Sequence, residues 1–556
     1  MRHNKSVTVT AAACLLAGGA HAAMTISNAK TKNVTCTSGV CTPTRGNANL
    51  NVGELQTMLA SSDVTVKSNA AAPNIGILDP LTWASSHRLA LDSHESINVR
   101  APIVIEGTSG ITLITNDGGT GGDYNFNTAT SGSITFWDTA SSLIINGKSF
   151  TLVKDISALA SEIATDPSGD YALAALYDAS VQTYKTSPIP TPFAGIFEGL
   201  GNPISNFTIG GSLRRGRLLI AGLFASTSGT LRDVTLTNVS ISTAKSRSSG
   251  PAGALAVYNS GSIVNAAVSG TISNSGNEAG GLVDSNAGTI VRSSTNVSVI
   301  ADHAGGLVRD NGGTISWSSA AGSVTGVDEA GGLADSNVGT ISDSSAQADV
   351  GATRAGGLVE NNKSTVNNKG TILRCHASGL ASGAVFAGGL VAINGSDIVQ
   401  SFATGAAIAS SDSGSTAGGL VGFNSGGIMQ SYATGEVQSD SSSHNRAGGL
   451  IGLNARRGRV SESFSSGPVT SPFRGGFLGL DRWIDGQQFD YWNLDTSKVS
   501  NPHQGAGQPL DDPGITGLTD AQLKSALPAG FDPNVWGQSA SINNGWPYLL
   551  ANPPPQ

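Results

Sequence analysis

Apolar residues fall into three columns along the middle of the chain, separated by small and polar positions. The first column is Leu282, Leu307, Leu333, Leu358, Leu390, Leu420 and Leu450. The second is Ile290, Ile315, Ile341, Ile372, Ile398, Ile428 and Val460. The third holds Val299, Val324, Val350, Val437 and Val469, with Ala381 and Ala407 as smaller members. From Leu282 to Ile290 is eight residues, from Ile290 to Val299 nine, and from Val299 to Leu307 eight. Three near-equal sides, each a short strand and a turn, predict one coil of a right-handed, three-sided parallel β-helix. A helical reading needs apolar residues three and four apart, and the units lack that spacing. Units open at Ala252, Ala279, Ala304, Ala330, Ala355, Ala387, Ala417 and Ala447, spaced 25 to 32 residues apart, as in a solenoid. Looser copies stand at Ile220 and Arg474. No coil buries its own core, so neighbours must stack at about 4.8 Å.

Small and polar columns run beside the apolar ones. A Gly-Gly pair before each Leu suits a bend where a Cβ would clash. Gly270, Gly322, Gly379, Gly405, Gly435 and Gly467 do the same before the third strand. An Asn column comprises Asn259, Asn286, Asn311, Asn337, Asn362, Asn394, Asn424 and Asn454. Stacked in register, these amides are expected to form a structural ladder; a ligand-binding array is the other reading. Cys375 falls in a column otherwise made of Ser293, Ser318, Ser344, Ser401, Ser431 and Ser463, which predicts a small buried residue there and not a nucleophile.

The pattern loosens toward both ends. Residues 23–84 are expected to form an N-terminal cap, and 85–150 less regular coils. Residues 151–192 break the pattern: "DISALASEIA" starts at Asp155, a good N-cap, and predicts a helical insertion. Regular repeats span 193–480. Residues 481–556 are expected to cap the C-terminal end, with Thr519 to Gln522 as a capping box. Trp483, Tyr491, Trp492, Trp536, Trp546 and Tyr548 are expected to close the core there, or to offer a platform for carbohydrate.

Composition restricts the functional classes. The chain has 556 residues, 73 of them Gly, and only 13% are charged. That is too long for one compact core, which favours an array. Residues 1–22 read as an export signal: Arg2 and Lys5, then an apolar stretch from Ala11 to Ala20, then Ala20-His21-Ala22. Cleavage would take the net charge from −8 to −10, which argues against a nucleic-acid surface. Arg214 to Arg217 and Arg456 to Arg459 are read as solvated basic turns. No segment offers about 18 consecutive apolar residues, so no transmembrane segment is expected. Cys36 and Cys41, in "CTSGVC", should form a disulfide in an exported protein, worth roughly 2 kcal/mol.

The unit AGGLVxxNxGTIxxSxAxGxV resembles the GLUG motif of bacterial secreted proteins, and "AGGLVGFNSGGIMQSYATGEV", Ala417 to Val437, is its closest copy here. "FDYWNLDTSK", "GITGLTDAQL" and "INNGWPYL" are similar to the closing segments of such proteins. "LTWASSHRLALDSHESINVRAPIVI" is similar to filamentous-haemagglutinin-like stretches. The resemblance implies an exported, extracellular or surface-associated, adhesin-like protein. Its expected partners are extracellular glycans, a matrix or host surface, or another cell.

Neither an enzymatic activity nor a cofactor is expected. "HESIN", from His94, lacks the second His of a zinc peptidase helix and reads as a strand. The alternative is a polysaccharide lyase or glycosidase working through stacked acids. Two residues beyond the Leu column stand Asp284, Arg309, Asp335 and Glu360; just before AGGL stand Glu278, His303, Glu329 and Arg354. Asp284, Asp335 and Glu360 are the catalytic candidates of that reading; with added ligands the same carboxylates would suit Ca²⁺. The structural reading is a solvated turn edge with alternating charge. Insertions before Ala417 ("SSDSGST") and Ala447 ("SDSSSHNR") are expected to stack along one edge as a polar binding face.

Overall fold

The computed structural model describes residues 23–127, 130–211, 219–243, 249–411, 414–440 and 444–555. The expected export signal at 1–22 and the basic stretch Arg214 to Arg217 lie outside them, as do the tips of both insertions. The chain is a parallel β-solenoid of about 17 turns with a few short helices. It divides into two compact units, Met1–Ser149 and Phe150–Gln556.

In the first unit, parallel strands form three sheets. Leu89, Ile111 and Leu143 stand in register on one side, and Leu81, Ile103 and Ile134 on another. All six are buried. Coiling starts earlier than the expected boundary at 85. Strands Val64–Lys67, Asn74–Ile77 and Leu81–Trp83 already pair in parallel with the next turn. Their alternation is legible but short, and Gly76 and Pro80 interrupt it. The remaining cap consists of strand Ala23–Ser27, a hairpin, an outer strand and a helix. The hairpin pairs Val34–Thr37 with Val40–Pro43 and carries the Cys36–Cys41 disulfide. Strand Ala48–Asn51 lies outermost in its sheet. Helix α1, Val52–Leu59, then buries Val52, Leu55 and Leu59, with the Asn51 carboxamide accepting from Gly53 and Glu54 amides at its start.

The second unit opens with helix α2, Ile156–Thr165, N-capped by Asp155, whose Oδ1 accepts from the Ala158 amide at 2.7 Å. Ile156, Leu159 and Ile163 join the core of the stack. The insertion is shorter than the expected 151–192, because Tyr171–Leu173 already pairs in parallel with the strand Ile196–Glu198. Three sheets then run along the unit, the first through strands such as Val283–Asn286, the second through Thr289–Val291 and the third through Ser294–Gly305, and the Leu, Ile and Val columns all point inward. Each column residue from Leu282 to Val469 is at most 2% exposed. One continuous apolar core therefore serves every coil, as stacking requires.

The Gly-Gly bend works by space. A Cβ on Gly331 would stand 1.7 Å from the Ala334 carbonyl oxygen, and one on Gly332 would stand 2.0 Å from that of Gly357. Neither has positive φ. The opposite holds at the corner between the second and third sheets. There Asn265, Arg292, Trp317, Asp343, Arg374, Gln400, Gln430 and Glu462 all take left-handed backbone, with φ between 49° and 54°. Such a corner costs a non-glycine residue about 1 kcal/mol. The residue that follows offsets it. Ser318 Oγ accepts from the Ser293 amide of the preceding coil at 3.1 Å and donates to the Ser316 carbonyl at 2.9 Å. Ser344, Ser401, Ser431 and Ser463 repeat both bonds. Cys375 occupies this column, fully buried, its thiol donating to the Leu373 carbonyl. Burial pushes that thiol up to about 12, so it offers no thiolate near neutrality.

The C-terminal segment does more than close an end. Trp492 does enter the core, where Gly476 makes room for its ring. Residues beyond it run back along the flank of the stack. His376, Phe402, Tyr432 and Phe464 stack ring on ring at 4.8–5.0 Å, one per coil, on the outer face of the third sheet. Leu523 of helix α3, Asp520–Ser525, covers them together with Phe531, Trp536 and Leu549. Asn552 then donates to the carbonyls of Cys375 and Gln400. Trp546 is held by Asp520 and Lys524.

Candidate functional site: a buried charged corner

Strand Val283–Asn286 and its counterparts follow the Leu column. Their ends carry the Asn column. Each Asn Nδ2 donates to the Oδ1 of the next coil's Asn, from Asn259 to Asn454, over seven links of 2.7–2.9 Å. The last amide donates to Asp481 Oδ1 at 3.0 Å. These side chains are at most 2% exposed. Every amide is spent on its neighbours, so the array leaves no open row of donors for a ligand.

Two residues beyond the Leu column the charged positions are buried, not solvated. Asp284 and Glu360 are 0% exposed and Asp335 is 3% exposed. The expected turn edge is corrected here for a physical reason. The end of the preceding strand, carrying Glu278, His303, Glu329 and Arg354, folds over the corner. Its register is continuous from coil to coil: Glu278 opposite His303, His303 opposite Glu329, Glu329 opposite Arg354. Arg309 Nε and Nη2 reach Asp284 at 3.3 and 3.1 Å, and Nη2 also reaches Glu278 at 3.1 Å. Arg354 Nε donates to Glu360 Oε1 at 2.8 Å, and its Nη2 holds Glu329 Oε1. His303 Nδ1 stands 3.5 Å from Glu329 Oε2.

The candidate acids thus lie under a cover of other side chains. Asp335 and Glu360 occupy matching positions in adjacent coils, between the pairs Ala334–Val359 and Ser336–Asn361. A polysaccharide bound outside the stack would meet the covering strand before either carboxylate. The structure brings Asp335 together with His303 and Glu329, with one ligand atom of each within 4.8 Å of the others. That grouping is invisible in the sequence without knowing that the two columns converge at a bend.

Electrostatics at the corner follow burial. Burial pushes the Asp284 carboxyl up to about 6, against the pull of Arg309. Burial, with Glu360 next to it, pushes Asp335 well above the usual carboxylate range. Burial also raises Glu360, with Arg354 drawing it back. For Asp284 the folded protein holds a proton that the unfolded chain has released above about pH 4. Stability from this group is therefore full below about pH 4 and falls as pH rises to about 6. Asp284→Asn keeps the acceptor for Arg309 and should abolish that slope. The stability of wild type relative to the variant should fall by about 3 kcal/mol between these limits in urea denaturation. A parallel pH dependence in both proteins would refute it.

The remaining predicted features have plain positions. His94 precedes the strand Ile97–Val99 and faces no second His in a helical turn. Arg456 and Arg457 are exposed in a turn. At the C-terminal bases of the two insertions Asn445 Oδ1 accepts from the Ser415 amide at 2.7 Å, and both residues are 0% exposed, whereas Ser410 and His444 are exposed. No described helix is long and apolar enough to cross a membrane.

No protein-family model and no curated protein matches the chain. Among solved structures it is similar to an IgA1 protease at 16% identity and a TM-score of 0.25. The match covers 62% of this chain and 22% of that one, so the chain spans about a fifth of that structure's length.

Proposed function

We propose that the protein is an exported, surface-associated adhesin that holds glycan or matrix ligands along one repetitive face of its β-solenoid. The observation that carries this reading is the outer face of the second sheet and its corner. Thr289, Thr314, Thr340 and Thr371 stand in register there, one hydroxyl per coil. Beside them runs the left-handed corner with Arg292, Trp317, Asp343 and Arg374. Trp317 is 54% exposed, and Arg374 pairs with Asp343 through two bonds. Hydroxyls, an open indole and paired charges at strand spacing suit a polymer with repeating polar units. Many weak contacts along such a row add through multivalency. The export-like N-terminus and the resemblance to GLUG and haemagglutinin-like proteins support the same reading.

The test is a screen of the full chain on immobilised glycans and matrix proteins, with the length of each bound glycan measured before and after. Retention of an intact ligand, reduced in Trp317→Ala and in Arg292→Ala, is expected. No retention on glycans, matrix or cells refutes the proposal. Shortened glycan would replace it with the polysaccharide-active alternative.

A further inference from the structure

We propose that His303, Glu329 and Asp335 form a binding site for one divalent transition-metal ion of the zinc type. The ligands come from adjacent coils. His303 lies directly opposite Glu329, and Asp335 follows Glu329 past the Gly331-Gly332 bend. The ligands of a tetrahedral zinc ion, each at about 2.0–2.1 Å, stand about 3.4 Å apart along every edge. His303 Nδ1 and Glu329 Oε2, at 3.5 Å, already have that separation.

An independent observation points to the missing ligand. Asp335 is 3% exposed, and its Oδ1 is buried without a hydrogen-bond donor. In the next coil Glu360 Oε2 is buried in the same state. A buried carboxylate oxygen without a donor is costly, and a cation removes that cost. Charge gives the same answer. Six carboxylates gather at this corner, those of Glu278, Asp284, Asp310, Glu329, Asp335 and Glu360. Arg309 pairs with Glu278, Asp284 and Asp310, and Arg354 with Glu329 and Glu360, so among the described residues Asp335 alone of the six has no ion pair.

The donor set selects the ion. One imidazole with two carboxylates suits zinc or manganese, whereas calcium takes six to eight oxygens. Arg354 holds Glu329 Oε1, which leaves Oε2 to His303. Ligating carboxylates are commonly supported in this way. The His303 and Glu329 side chains are 35% and 16% exposed, so an ion can enter and keep a water as its fourth ligand.

The full chain, freed of metal with a chelator, is titrated with zinc chloride by calorimetry. The expected result is one tight equivalent per chain and a denaturation midpoint that rises with free zinc. His303→Ala, at a partly exposed position, should weaken that equivalent by more than about 100-fold. Zinc should then no longer shift the variant's midpoint. Asp335→Asn should do the same, and its folding is checked by its strand content. Cobalt-loaded wild type should show the visible bands of a tetrahedral ion, absent from both variants. Absence of a stoichiometric site, uptake undiminished in the variants, or preference for calcium over zinc would each overturn the proposal.

Discussion

Leu333→Asp should unfold the central coils of the second unit. Leu333 is 0% exposed, and its backbone is bonded to Leu307 below and Leu358 above. Removing a buried leucine side chain costs about 2–5 kcal/mol. Leaving a carboxyl in that column, without a donor, adds several more, whether it stays charged or takes a proton at the cost of its normal ionisation. The loss should therefore exceed about 5 kcal/mol. Hydrogen exchange should show it first in the coils from Ala304 to Leu358, because a solenoid transmits damage through its neighbours. A variant with the wild-type urea midpoint would place Leu333 outside the core and break the column assignment.

Asn337→Leu should cost less, about 2–6 kcal/mol, and for a different reason. Its Oδ1 accepts from Asn311 and its Nδ2 donates to Asn362. Substitution orphans one buried donor and one buried acceptor, each worth about 1–3 kcal/mol. The end of the ladder supplies the control. Asp481 only accepts, through Oδ1, from the Asn454 side-chain amide and the Trp483 backbone amide, and an amide oxygen serves both bonds as a carboxylate does. Asp481→Asn keeps that accepting oxygen, so it should destabilise the protein less than Asn337→Asp. Asn337→Asp should be damaging, because the middle of the row requires a donor. Equal effects of Asn337→Asp and Asp481→Asn in urea denaturation would show that the row is not held by directional amide bonds.

The parts of this fold that repeat were legible in the sequence, and the parts that depend on convergence were not. The columns are readable because one coil's spacing returns in the next, and Asp155 and Thr519 are readable because caps are local. The burial of Asp284, Asp335 and Glu360 could not be read in this way. Alternation along the strand turns them away from the core, and only the neighbouring strand's end, carrying Glu278 and Glu329, covers them. The left-handed corner is hidden because Arg292, Trp317 and Gln400 are not residues that advertise positive φ. Phe402, Tyr432 and Phe464 likewise occupy outward positions, next to inward Ala403, Ala433 and Ser465. Their cover comes from residues beyond 519, far along the chain.

That cover changes how the second unit should lose its structure. A pure stack obeys nearest-neighbour energetics and can fray one coil at a time from an end. The C-terminal strap ties coils that are not neighbours, with Asn552 at Cys375 and Gln400 and with Phe531 and Trp536 on Phe464. Coils between Cys375 and Trp492 therefore cannot open singly without breaking the strap, and should melt as one cooperative block. The same geometry orders assembly. The strap has no surface to dock on until those coils have closed, so it works as a clasp that fastens last and must be released first.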